Sequence, residues 1–227
     1  MTWAFGKANR EVGTGETGPD QEYVALDRRE RRIQWYMLAS LIMGAILGAA
    51  GGGFADQVPD WLLSIYDPYI FMVLATVVGW NAASFGWSLV NGALAAFGGM
   101  VGQLIVSVAV HGIAPFEGLA GGATGLNILL FALVALGPLA YLSTREDRWG
   151  ILASGITAGL ILGEGVEELV QFGYGQPYPG WQVAVTTSAL LAAVIVLVFR
   201  RRTLHRLWAL LVAVSYSGSY GALVLAL

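Results

Sequence analysis

"WGILASGITAGLILGEGVEELVQ", residues 149–171, runs without a formal charge from Trp149 to Gly163 and then places Glu164, Glu167 and Glu168 within five positions. An α-helix rises about 1.5 Å per residue, so an apolar run of this length crosses a hydrocarbon core about 30 Å thick. The rest of the 227-residue chain repeats the pattern: 56% of residues are hydrophobic and only 12% are charged. The mean hydropathy is +0.66. Soluble domains carry about 25% charged residues, so half the usual charge is missing. The fold class this implies is all-α, a polytopic membrane helical bundle.

Seven runs qualify as spans: 34–53, 69–85, 87–110, 123–142, 149–171, 181–199 and 207–227. The second start is ambiguous, because residues 61–66 ahead of Asp67-Pro68 are also apolar. Pro68 suits the first turn of a helix, which places the start near it. Charge placement supports an odd number of spans. With seven, all 12 Lys and Arg (Lys7, Arg10, Arg28, Arg29, Arg31, Arg32, Arg145, Arg148, Arg200, Arg201, Arg202 and Arg206) share one side. Asp56, Asp60, Asp67 and Glu117 occupy the other. The positive-inside rule then puts the N-terminus in the cytoplasm and the C-terminus outside, as in a bacterial inner membrane protein.

Residues 1–32 read as a polar, flexible cytoplasmic tail with a basic anchor, and residues 33–227 as the transmembrane domain. The RRERR run (28–32) suits anionic headgroups and carries too little charge for nucleic acid. Trp35, Trp149 and Trp181 fall at expected interfaces, and Trp61, Trp87 and Trp208 fit the same belt. Gly44 and Gly48, then Gly155, Gly159 and Gly163, form small-xxx-small ridges that let helices approach closely within the chain or in a homo- or hetero-oligomer. Trp61 and Trp181 are 120 positions apart, and Trp87 and Trp208 are 121 apart. This spacing suggests two three-span units joined by a linker span, a 3+1+3 arrangement; the frequency of tryptophan at interfaces accounts for it equally well.

Helical spacing sorts the glutamates. Glu164, Glu168 and Gln171 share one face, whereas Glu167 continues the Gly155–Gly159–Gly163 ridge and should point into the bundle. Glu164 lies about 22 Å along a helix starting at Trp149. Three close carboxylates without a nearby cation cannot all ionise cheaply, so one is expected to hold its proton near neutral pH. A neutral carboxylic acid in an apolar surrounding is a proton donor; an ionised one attracts a cation. A helix ending in water would leave the three merely solvated. Gln103, Asn127, Tyr216 and Tyr220, with Ser215, Ser217 and Ser219, are expected at similar depth and outline a polar, aromatic-walled opening that would take a hydrophobic small molecule. Singly, each also suits an ordinary helix–helix hydrogen bond. His111 and Glu117 read as solvated loop residues, and Asn81 and Asn91 as packing or turn residues.

The absence of cysteine and the presence of only two histidines leave no thiolate or histidine cluster, so no metal or other cofactor is expected. There is no phosphate-binding loop or nucleotide fingerprint, which argues against ATP-driven transport by this chain alone.

"GVEELVQF" (165–172) resembles the P-x-E-E-x-x-x-F segment of membrane-integral lycopene cyclases and related small terpene cyclases. Glu167 and Glu168 match the paired glutamates, and Phe172 the aromatic residue. The proline is absent, and the first half of the chain has no second Glu-Glu pair. Those proteins are built from three-span units, sometimes joined into seven spans. The resemblance implies a redox-neutral, metal-free reaction in which an acid protonates an isoprenoid double bond and the carbocation cyclises. Glu167 or Glu164 would be the donor, with Glu168 adjusting its acidity. The competing expectations are a proton- or cation-coupled transporter using the same carboxylates, and a non-catalytic scaffold or assembly subunit.

Overall fold

The computed structural model describes residues 19–54, 57–112, 122–173 and 180–226. All regular structure among them is helical: α1 (Pro19–Phe54), α2 (Asp60–Tyr66), α3 (Tyr69–Trp80), α4 (Phe85–His111), α5 (Gly122–Leu142), α6 (Arg148–Gly173), α7 (Trp181–Phe199) and α8 (Thr203–Ala226). Six segments are long and apolar enough to cross a membrane, and the shorter apolar stretch Leu130–Leu142 of α5 adds to them.

Two boundaries differ from expectation. α1 begins at Pro19, so residues 19–32 continue the first helix rather than belonging to a loose tail. Proline fits a first helical turn, and further along Asp27 pairs with Arg31 at 3.0 Å. Residues 1–18 lie outside the described set. The second span was expected at 69–85, but α3 has 12 residues. That covers only about 18 Å, less than the hydrocarbon thickness. The crossing length comes from Trp61–Trp80, α2 and α3 together, bent at Asp67-Pro68. Asn81 ends α3 by donating from Nδ2 to the Val77 carbonyl at 2.8 Å. Ser84 then caps α4 by accepting from the Trp87 amide at 3.4 Å.

Glycines decide which helices pair. A Cβ on Gly44 would overlap the Ala95 carbonyl, and one on Gly48 the Gly99 carbonyl; Gly52 faces Gln103 and Val106. Residue numbers rise together along both helices, so α1 and α4 run parallel. The α6–α8 pair repeats this: Gly155 meets Ala209 and Val212, Gly159 meets Ala213 and Tyr216, and Gly163 meets Tyr220. α5 packs against α3, α4 and α6 and so lies between these pairs. Buried hydroxyls cost little because they bond back to their own helices, as Thr76 does to the Met72 carbonyl (2.7 Å) and Thr157 to the Ala153 carbonyl (2.8 Å).

The core centres on Met72, Leu136, Ile161 and Val196, each fully buried or nearly so. The outer surface is as apolar as the core, with Phe131 at 77% exposure and Trp35 and Trp149 near it. A water-facing surface would not carry such a coat, and a lipid-facing one requires it.

Candidate functional site

The α6 glycine ridge leads directly to the site. Its next member, Glu167, faces α8 as the spacing requires: the Tyr220 hydroxyl donates to Glu167 Oε2 at 2.5 Å. Glu164 and Glu168 occupy the neighbouring face. Glu164 is within electrostatic reach of Glu167, Glu168 and Asp67. Tyr69 of α3, 2% exposed, lies near both Glu164 and Glu168, with the Ser188 hydroxyl beside its phenol. The Tyr69 hydroxyl donates to the Ala184 carbonyl at 3.1 Å, which ties α3 to α7. One oxygen of Glu168, Oε2, is buried without a hydrogen-bond partner. Gly165 is the close-approach point for α7, since a Cβ there would run into Ser188 Oγ.

Four carboxylates and two tyrosines thus converge from α6, α8 and the α2–α3 bend. The sequence has no Lys or Arg between Arg32 and Arg145, between Arg148 and Arg200, or after Arg206. Such a group can share protons, deliver one, or surround a cation with oxygens. Among the described residues no His, Cys, Asp or Glu group has metal-site geometry.

Of the expected lining, Tyr220 is at the centre. Tyr216, 38% exposed, lies one turn back against Gly159. Gln103 is elsewhere, on α4 against Gly48 and Gly52 of α1. Ser217 and Ser219 bond to the Val214 and Ser215 carbonyls of their own helix, at 3.3 and 2.8 Å. The side chains of His111, Asn127 and Gln171, and residue Glu117, lie outside the described set. Asn81 has the turn role expected of it, and Asn91 is 2% exposed within the α4 packing.

Asp67, Tyr69 and Ser188 were missed by the sequence reading. Asp67 was placed in the outer connection, and Tyr69 was counted only as the start of a span. A carboxylate beside a proline between two apolar runs was the available signal. The chain matches no known protein family, no curated protein and no solved structure.

Proposed function

We propose that the acid and tyrosine cluster at the α6 end is a proton-donating site, and that the protein is a membrane enzyme for redox-neutral cyclisation of an isoprenoid or similar lipid-soluble substrate. The observation that carries this reading is the seating of Glu167 against Tyr220, with Glu164, Glu168, Asp67 and Tyr69 around it and no Lys or Arg between Arg148 and Arg200 or after Arg206.

In the reaction a protonated glutamate gives its proton to a carbon of a C=C bond. The π pair forms the new C–H bond and leaves a tertiary cation. A second double bond attacks that cation and closes a ring. The carboxylate then takes a proton from the carbon next to the final cation, which restores the acid and a C=C bond. Atoms and electrons balance as an isomerisation. Aromatic faces stabilise the cation on the way. Glu167 or Glu164 is the donor, and Glu168 sets the local charge.

In this reading seven spans cross a bacterial inner membrane, with the N-terminus cytoplasmic, the site in the outer half and α5 linking two three-span units. Support for the orientation comes from the packing: the starts of α6 and α8 and the ends of α5 and α7 meet at one end of the bundle, where the arginines are. A second reading, proton- or cation-coupled transport, draws on Asp67, which brings an oxygen set from a different element to Glu164.

The test compares lipid extracts of cells with and without the gene, and with Glu167→Gln. A cyclised isoprenoid that appears with the wild type and is lost in Glu167→Gln is expected. An isoprenoid profile unchanged by the gene removes the cyclase reading and leaves transport or a scaffold; full cyclisation in both Glu164→Gln and Glu167→Gln removes these glutamates as the proton donor.

A further inference from the structure

Arg200 sits just beyond α7 and is only 2% exposed, although the sequence reading only counts it among the basic residues that share one side. Its Nε donates to Ser154 Oγ of α6 at 3.0 Å, one terminal nitrogen to the Arg145 carbonyl at 2.9 Å, and the other to the Ser143 carbonyl at 2.5 Å. Its own carbonyl accepts from Arg206 Nε of α8 at 2.7 Å. Among the described residues no carboxylate touches it: Asp147 bonds to Arg145 instead, at 2.6 Å, and Asp147 and Glu146 act on Arg200 only from a distance. The charge is met by carbonyls at the C-terminal end of α5, the negative end of that helix. Space is reserved for the guanidinium, because a Cβ on Gly150 would lie 2.8 Å from its terminal nitrogen. Beside it the Phe199 ring meets Trp80 of α3 edge-on, with centroids 5.2 Å apart.

One side chain therefore joins α5, the α5–α6 connection, α6 and the α7–α8 corner, and its neighbour reaches the first unit. We infer that Arg200 is a latch that locks α6 and the α7–α8 corner onto the end of α5, so that α5, α6, α7 and α8 move as one body. Movement of the α6–α8 helices away from α5 requires this latch to open. A guanidinium fork is needed, since a lysine ammonium cannot reach three acceptors in fixed directions.

The chain contains no cysteine, so Thr144→Cys and Arg201→Cys can carry spin labels for pulsed distance measurement in full-length protein reconstituted in bilayers. Arg200→Met and, separately, Gly150→Ala should replace a single narrow distance with a broad or longer one, and Arg200→Lys should restore it only in part. Trypsin cleavage after Arg145 and Arg148 should rise roughly tenfold in the same variants, because cleavage follows the open population. If Arg200→Met does not fold, Gly150→Ala decides. Unchanged distances and cleavage in the folded variants would overturn the latch. Neither readout uses turnover, so the result stands whether or not the chain is a cyclase.

Discussion

Replacing Tyr220 by Phe removes one oxygen and keeps the ring that packs on Gly163, where the nearest ring carbon is 3.4 Å from the Cβ position. The change therefore isolates the hydrogen bond to Glu167. A typical intramolecular hydrogen bond contributes about 0.5–1.5 kcal/mol net in folded proteins. Bonds between helices in a bilayer average about 0.6 kcal/mol and reach about 1.7. At 2.5 Å this bond belongs near the upper membrane value, so Tyr220→Phe should cost about 1.5 kcal/mol. In a Glu167→Gln background the acceptor is a neutral amide, and the same change should cost about 0.5 kcal/mol. The double-mutant coupling is then about 1 kcal/mol, measured by reversible unfolding of the four proteins in bicelles. A coupling under about 0.3 kcal/mol would mean that Tyr220 and Glu167 are not joined by this bond in the folded protein, and the site would lose its centre.

Gly48→Ala drives a Cβ into the Gly99 carbonyl, a backbone atom that cannot step aside, and should cost about 1–3 kcal/mol. Gly218→Ala meets nothing within 4 Å and should raise the melting temperature in detergent, through about 1 kcal/mol of helix propensity. Asp147 accepts from the Gly150 amide at 3.0 Å, and this bond, aided by Arg145, holds its carboxyl below the ordinary value of 3.8. A carboxyl depressed in the folded state stabilises above its unfolded value and loses that contribution as pH falls through the lower folded one. Protection of the Gly150 amide from hydrogen exchange should therefore fall on acidification below pH 3.8 and become pH-independent there in Asp147→Ser.

Helix ends were readable wherever apolar sequence gives way to charge or to Gly and Pro. α7 begins and ends at the residues expected, α4 and α6 differ by one or two at each end, α5 differs by one at its start only, and α8 begins four residues earlier than expected. The α2–α3 bend was not readable, because both sides of Asp67-Pro68 are apolar and only the total length reveals that they share one crossing. Partner choice was also hidden. The ridge at Gly44 and Gly48 announces close approach but does not name α4 as the helix approached. The site shows the same division. Periodicity put Glu167 on the ridge and Glu164 with Glu168 on another face, because that geometry is local. Asp67, Tyr69 and Ser188 arrive from elsewhere in the chain, and no local rule brings them in. The burial of Arg200 was hidden for the opposite reason: charge counting treats every arginine at a helix end alike, whereas three acceptors surround this one.

The two parallel helix pairs share a packing rule but not a chemistry, and the difference follows from what faces each ridge. Along α1 the partners of Gly44 and Gly48 are backbone atoms of α4, too close at both points for any side chain. Along α6 the separation grows: the nearest atom to the Cβ position is 2.6 Å at Gly155, 3.1 Å at Gly159 and 3.4 Å at Gly163. The facing residues enlarge in step, from Ala209 and Val212 through Ala213 and Tyr216 to Tyr220. The glycine face of α6 therefore gains room toward Tyr220, and the ridge changes from glycine to glutamate there, although beside it Val166 still packs closely on Gly221 of α8. Tight stretches of such a face hold helices together, and roomier ones are where polar groups can be placed without breaking backbone packing. Substituting Tyr220→Ala should leave α6 and α8 joined at Gly155 while emptying the space beside Glu167. A folded variant that loses the Glu167 contact but keeps its helix pairing would be the expected outcome, and complete unfolding would show that packing extends to the acid itself.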